Sequence, residues 1–477
     1  MKNITKYSIF MALILALTAC GGISRSVTDT DTRNKSNPIT FNEVDNIITS
    51  REQIINTPKN ASISFTTGDK NKQMTVDKID NNFASNKKIK NMPPNAPKHS
   101  ATGHNVIFVS TYKELRLALG KVKAGQTIYL KEGTVFTLTD FGLYLKNKHG
   151  TKDKKIIITT SPNNPAILDG GDRNRKYSYG IIVEDCDYIE ISNIIIQEMK
   201  LWGIHAGSET GTVNAVRGMS NSEILNVHVQ NTGSAGIRIG GNSSFVKIIG
   251  CKINGRFAGS TEDKAYNEGI YIGYGDNSFT KPDVDYTHDI TIQHCDISDR
   301  YADGIDLKQG AYNLIVQYNK IHDTVVPSQG AITVLLRGGI EEHLGERDGN
   351  VLVDSNIIWN IRRDVGNTYD GSGIIVGSGN TVVTNNIVWD VDPIGSPIET
   401  YNTFHPKHTK VLIENNIFCG TNEAIEDVTD YFNPTKNATL PVITAKGNIL
   451  SSAYKGSNKV VSVEEIKALI REKAPIK

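Results

Sequence analysis

The chain has 477 residues, with 52 Lys plus Arg against 51 Asp plus Glu, and it carries 42 Gly beside only 7% aromatics. Charges that nearly cancel leave no overall basic field to hold nucleic acid or an anionic membrane surface by electrostatics. Many glycines and few aromatics suit tight turns between short strands, and length does not set the domain count because repetitive all-β chains run long as one unit.

Lys2 and Lys6, an apolar run from Ile9 to Leu17 and then small residues have the three-part layout of a secretory signal, too short for a stable membrane span. Leu17-Thr18-Ala19-Cys20 resembles a bacterial lipobox. The resemblance implies a signal peptide over 1–19, lipidation of Cys20 and a lipid anchor in the cell envelope. The outer membrane is favoured because Gly21, not Asp, follows the cysteine. The alternative is an ordinary signal peptide with a coincidental cysteine. Cys186, Cys251, Cys295 and Cys419 are expected to be mostly buried and unpaired, since a chain this large needs no disulfide framework. Residues 20–103, rich in Asn, Lys, Thr, Ser and Asp without an apolar period, read as a flexible polar linker.

Ordered sequence begins at Val106-Ile107-Phe108-Val109, and Thr111 with Glu114 forms a capping-box pattern opening an amphipathic helix through about Leu119. From about Lys155 to Phe418 two patterns recur. One is Gly-Ile-x-(Ile/Val/Leu), at Gly180, Gly236, Gly269, Gly304 and Gly373, with looser copies at Gly203 and Ala331. The other is an alternating strand that ends in Asn or Cys, then one residue, then an apolar one. Its members are Asn193, Cys251, Cys295, Asn319, Asn356, Asn386 and Asn416, with Val227 in the same place of one copy. Each copy reads as a half-buried strand that cannot cover its apolar face alone, so copies stack into a solenoid. The expected fold is an all-β, right-handed parallel β-helix over 104–452, with a short capping helix at each end. Ser462 and Glu465 open the second helix, within a C-terminal extension over 453–477. Inserted loops rich in charge and aromatics are expected to wall one side and make a groove.

Side chains alternate along a strand, so Ile305 and Leu307 face the core while Asp306 and Lys308 face out. Aligned rungs place His205, Arg238, Tyr271, Asp306 and Thr333 in one outward column. Gly207, Gly240, Gly273, Lys308, Leu335 and Gly377 form the next, an open glycine floor beside one lysine. Such a floor suits β-elimination on a uronic acid, in which positive charge neutralises the C-6 carboxylate and a base removes the C-5 proton. Lys308 is the candidate base, provided burial or neighbouring charge lowers its pKa. Arg238 or a metal would supply the charge, and His205, Tyr271 and Arg337 would line the groove. Glu268 and Asp303 each precede the Gly of adjacent rungs and, with Asp306, offer oxygen ligands of the kind Ca²⁺ takes. The plainer alternative is a solvated Asp306–Lys308 pair with Glu268 and Asp303 as turn caps.

The opening from Val109 to Gly171 resembles polysaccharide lyases of family six, the alginate lyase and chondroitinase B group. A further likeness runs through Glu268-Gly269-Ile270-Tyr271-Ile272-Gly273 and Asp303-Gly304-Ile305-Asp306-Leu307-Lys308 to Ser328-Gln329-Gly330-Ala331-Ile332-Thr333. That resemblance implies a lyase with calcium-binding acids, a lysine base and an arginine, acting on an acidic polysaccharide. Here Leu335 stands at the family's arginine position and Arg337 lies beyond it. Asp303-Gly304-Ile305-Asp306 also resembles part of the polygalacturonase signature, which implies hydrolysis by paired carboxylates. Polysaccharide lyase is therefore the leading expectation, for a protein expected to be monomeric. A uronate epimerase, a glycoside hydrolase and a non-catalytic glycan-binding or adhesive solenoid are the alternatives.

Overall fold

The computed structural model describes residues 105–139, 141–171, 178–207, 216–256, 267–273, 285–308, 311–326, 330–334, 349–363, 371–377, 380–392, 395–400, 410–419, 425–427, 442–450 and 459–460. The signal peptide, Cys20, the linker, Arg337 and the helix expected after Ser462 lie outside the described residues.

Strand β1 (Val106–Val109) leads into helix α1 (Tyr112–Lys121). Thr111 Oγ1 accepts from the Glu114 backbone N–H, while the Glu114 carboxylate accepts from the N–H groups of Ser110 and Thr111. This is the capping box read from the sequence, and it satisfies donors that a helix start leaves orphaned. Leu115, Ala118 and Leu119 are buried as α1 packs on the first strands.

From there each coil contributes three strands. Ile270–Ile272, His288–Gln293 and Asp296–Ser298 make one coil; Ile305–Leu307, Tyr312–Gln317 and Lys320–Val326 make the next. Each strand of the second coil pairs parallel and in register with its counterpart in the first. Among the described residues this stacking yields parallel sheets of 22 and 12 strands, the larger holding the first two strands of each coil. The molecule is thus a right-handed parallel β-helix, as the repeats predict. Lys459–Val460 still pairs with Ile449–Leu450, so parallel coiling runs past the boundary drawn at residue 452. A two-residue strand carries no period by which the sequence could show it.

The Gly of each Gly-Ile pair has a steric cause. A Cβ on Gly180 would stand 2.2 Å from the Gly203 carbonyl oxygen and 2.7 Å from Ile196 Cγ2, and one on Gly269 would stand 2.4 Å from the Gly304 oxygen and 2.5 Å from Ile297 Cγ2. Where the chain enters the first strand it touches the next coil's backbone on one side and a branched side chain of the third strand on the other. No β-carbon fits.

The corner between second and third strands explains the other pattern. Asn193, Asn226, His294, Tyr318, Ser355, Asn385 and Asn415 all adopt φ between 51 and 58°, with Gly250 and Gly447 at 65°. One left-handed residue turns the chain there, a conformation Asn tolerates best among non-glycines. The following residue points inward: Asn319, Asn356, Asn386, Asn416 and Asn448 are buried. Each of the first four donates from Nδ2 to the next Asn Oδ1 at 2.9–3.0 Å. Asn193 therefore belongs one residue earlier than the sequence pattern placed it, at the left-handed corner. Ile194 holds its ladder position, followed by Val227, Cys251 and Cys295. The cysteine reading holds for Cys186, Cys251 and Cys295, which are buried and free.

Asn386→Ala removes the acceptor for both the backbone N–H and the Nδ2 of Asn356, so it should cost roughly 2–4 kcal/mol in a denaturant titration. Gly180→Ala should cost about 1–3 kcal/mol by overpacking. Gly120→Ala, whose Cβ meets nothing within 4 Å on α1, is the control and should be neutral or mildly stabilising. A Gly180→Ala protein as stable as the control would refute the steric account of the repeat.

Candidate active site on the sheet exterior

Register brings the outward residues together as the alternation requires. His205 pairs with Arg238, Arg238 with Tyr271, Tyr271 with Asp306 and Asp306 with Thr333, and the column continues to Ile375 and Glu399. The flanking Ile305 and Leu307 are in the core. Lys308 follows directly, its N–H bonded to Ile272 O, in the ladder position held by Gly240 and Gly273 on the preceding coils.

One expectation is overturned. The plainer expectation of a solvated Asp306–Lys308 pair fails, because the whole residues are 3% (His205), 9% (Arg238), 9% (Tyr271), 1% (Asp306) and 6% (Lys308) exposed, so the lysine beside the glycine floor is itself covered. Lys308 Nζ contacts Asp306 Oδ2 in a buried pair, and among the described residues neither Asp306 oxygen makes a hydrogen bond of good geometry. The contact is held by charge more than by directional bonding. Alternation in the sequence reports which side of a strand a residue takes, and it does not report what covers that side.

The pair's setting decides its protonation. Burial is the largest single effect and works to strip the Lys308 proton, but Asp306, Tyr271, Asp303 and Glu268 together outweigh it and hold Lys308 above the ordinary amine range. As the site stands Lys308 is an ammonium, not the free amine that a base requires. Burial, followed by the charge of Asp306, pushes Glu268 up to about 7 and Asp303 well above the usual carboxylate range. Asp303 also accepts from Thr333 Oγ1 at 3.2 Å. Tyr271 is raised by burial to about 12, with Lys308 and Arg238 pulling the other way.

The three acids neighbour one another electrostatically, but among the described residues no three His, Cys, Asp or Glu side chains gather closely enough to hold a metal ion. With Lys308 seated on Asp306, the trio as it stands does not fit Ca²⁺.

The predicted glycines serve the backbone as well as any ligand. Gly273 has φ of 87°, and a Cβ there would lie 3.3 Å from Lys308 Cβ. A Cβ on Gly240 would meet Asp285 Oδ2 at 2.9 Å, the carboxylate that accepts from the N–H groups of Gly241 and Asn242. His205 sits three strand spacings from Asp306, roughly 14 Å, so it is not beside Lys308.

Two parts of the site escaped the sequence reading. Trp202 stacks on His205, with centroids 4.4 Å apart, and packs against Tyr179. The Arg238 guanidinium lies 5.1 Å over the Trp202 ring and 5.1 Å over the Tyr271 ring, and Lys308 Nζ lies 5.0 Å from the Tyr271 ring centre. Tyr179 and Trp202 directly precede Gly180 and Gly203, as Glu268 and Asp303 precede Gly269 and Gly304. Aromatic residues thus share with the acids the place before the Gly of a rung. The second part is Arg300, fully buried behind Glu268. It donates to the carbonyl oxygens of Asn267, Gly255, Ser234 and Glu268 and to Thr232 Oγ1, and burial lowers it to about 9. By tying several coils together it holds the backbone that carries Glu268.

No protein-family model and no curated protein matches the chain. Among solved structures it is similar to an alginate lyase from Paenibacillus sp. (18% identity over 72% of this chain and 98% of that one, TM-score 0.46). It is also similar to a mannuronic acid specific family 6 polysaccharide lyase from human gut microbiota (11%, 77% and 98%, 0.44) and a lacto-N-biosidase from Eubacterium ramulus (13%, 72% and 67%, 0.45). At these identities and scores the similarity assigns no chemistry to this chain, and any reading of function rests on the residues above.

Proposed function

We propose that the protein is a polysaccharide lyase that cleaves an anionic, uronic-acid-containing polysaccharide by β-elimination beside Lys308. In this reading it is exported and held in the cell envelope, at the outer membrane, by a lipid on Cys20. The observation that supports it is the buried Lys308–Asp306 pair on the sheet exterior, bordered by Tyr271 and by two acids whose pKa values are raised.

Burial penalises the charged forms of both partners. A sugar that excludes the remaining water favours passage of the proton from Lys308 to Asp306. The free amine then takes the C-5 proton, and the electrons of that bond form the C4–C5 double bond as the C4–O4 bond breaks. The departing oxygen takes the proton from Asp306, which restores ammonium and carboxylate. Arg238 or a metal is the sequence's candidate for neutralising the C-6 carboxylate, with Arg337 lining the groove.

Hydrolysis is the second reading, favoured by one observation: burial and the charge of Asp306 push Glu268 up to about 7, so it can keep the proton that a general acid must donate.

The full chain, incubated with alginate, pectate and chondroitin sulfate with Ca²⁺ or with EDTA, should release product carrying the ultraviolet absorbance of a C4–C5 double bond. Lys308→Ala should lower that rate by at least about 100-fold. Equal rates would dismiss Lys308. New reducing ends without absorbance would select hydrolysis, and binding without product would select a glycan-binding solenoid.

The raised value of Glu268 gives a stability test. The folded chain keeps a proton that the unfolded chain releases near 4.5, so ionising Glu268 costs stability progressively up to about pH 7, and the full cost stands above it. Glu268→Gln removes that cost. Its Tm should exceed wild type by at least roughly 2 °C above pH 7, and the difference should shrink towards pH 4.5. A difference independent of pH would show that Glu268 does not titrate in this window.

A further inference from the structure

We infer that the N-terminal end of the solenoid, helix α1 together with the strands that open each stack, is a seat for an anionic lipid surface. The inference goes beyond the lipid on Cys20. It gives the folded coils a membrane contact of their own, and the test reads that contact with the cysteine removed.

Exposed apolar groups are gathered at this end. Among the described residues six large hydrophobic side chains are exposed, and five of them, Phe108, Leu117, Val135, Phe141 and Tyr144, belong to the first coils, at 38–57%. Val106–Val109 pairs with Thr127–Leu130, Val135–Thr137 with Ile167–Asp169 and Leu143–His149 with Ile181–Asp187. Phe108, Val135 and Tyr144 therefore each stand on a strand that opens a stack. Leu117 stands on α1, on the side away from Leu115, Ala118 and Leu119, which join the core. Further along, the row that starts at Val135 turns polar and runs through His228, Lys252, Asp296 and Lys320. Apolar surface gathered on one end of a molecule marks an interaction site.

The same end is basic although the chain as a whole is not. Residues 105–155 hold ten Lys and Arg against four Asp and Glu, whereas the whole chain counts 52 against 51. Lys113, Arg116, Leu117 and Lys121 are all exposed and follow one another at helical spacing, so three cations surround one exposed leucine. Glu114, the acid of this helix, is taken up by the N–H groups of Ser110 and Thr111. Beyond α1 the Gly125 N–H donates to Lys154 O, which brings the exposed Lys154 beside the segment that carries Lys123.

Cations around exposed apolar side chains match the boundary of a bilayer, where anionic headgroups meet the first and acyl chains the second. A soluble polyanion would answer the charge and leave the apolar groups in water. A second copy of this end would set like charge against like charge.

The test uses the full chain carrying Cys20→Ser and Leu117→Trp, with vesicles of brominated phosphatidylglycerol. Emission from the same chain without Leu117→Trp is subtracted, so the signal comes from the introduced indole. That indole should be quenched. Lys113→Gln, Arg116→Gln and Lys121→Gln together should weaken vesicle affinity at least about 10-fold. Lys247→Gln, Lys252→Gln and Lys410→Gln, which remove the same charge from exposed positions on later coils, should change it less than about 2-fold, because salt screens charges far from the contact. Absence of quenching, an equal loss in both triple variants, or equal affinity for brominated phosphatidylcholine would overturn the inference. So would an emission change produced by alginate, or by protein concentration alone, that the three helix substitutions abolish, since the end would then be a polyanion site or a self-contact. The Cys20 reading fails separately, if wild type gains no lipid mass, and the lyase reading fails if no unsaturated product forms.

Discussion

Parallel pairing in register between successive coils is the constraint on which the molecule depends. Once Ile270–Ile272 lies on Ile305–Leu307 and each coil repeats that offset, a residue's place along its strand becomes its place in a column. The inner columns become a continuous isoleucine and valine core. The corner column must turn left-handed, the ladder column must satisfy its amides through the coil below, and the glycine before each first strand must have no side chain. Loss of register by one residue would turn every inward isoleucine outward, so none of these columns survives without the others.

The same constraint concentrates charge. Outward positions on neighbouring strands are about 4.8 Å apart, close enough that Arg238, Tyr271, Asp306 and Lys308 belong to one electrostatic unit although they are far apart in sequence. Burial then amplifies their coupling. Asp306 holds the Lys308 proton while Glu268 and Asp303 are driven towards their neutral forms. A solvated row of the same residues would have little such effect. The closed setting also holds the Arg238, Tyr271 and Trp202 side chains against one another.

Arg300 shows how polar groups support this arrangement without forming part of it. Its guanidinium is satisfied entirely by backbone carbonyls and one hydroxyl, so its charge is buried without a carboxylate partner among those bonds. Asp285 does the same in miniature, accepting from the turn that begins at Gly241. Both brace the backbone beside the column, and both look in the sequence like ordinary loop residues.

The repeated Gly-Ile strands, the Asn corner and the Thr111–Glu114 cap were legible because each is a local pattern with a local cause, and together they determined the solenoid and the order of residues along its outer column. Asn193 was misplaced by one residue because a left-handed corner and the ladder position beside it both favour Asn. The covering of the column, the protonated state of Lys308, and the packing of Trp202 and Arg300 around the site were decided only by tertiary structure. Burial and electrostatic coupling depend on every group within a few ångströms, and coiling brings those groups from parts of the chain that carry no mark of being neighbours.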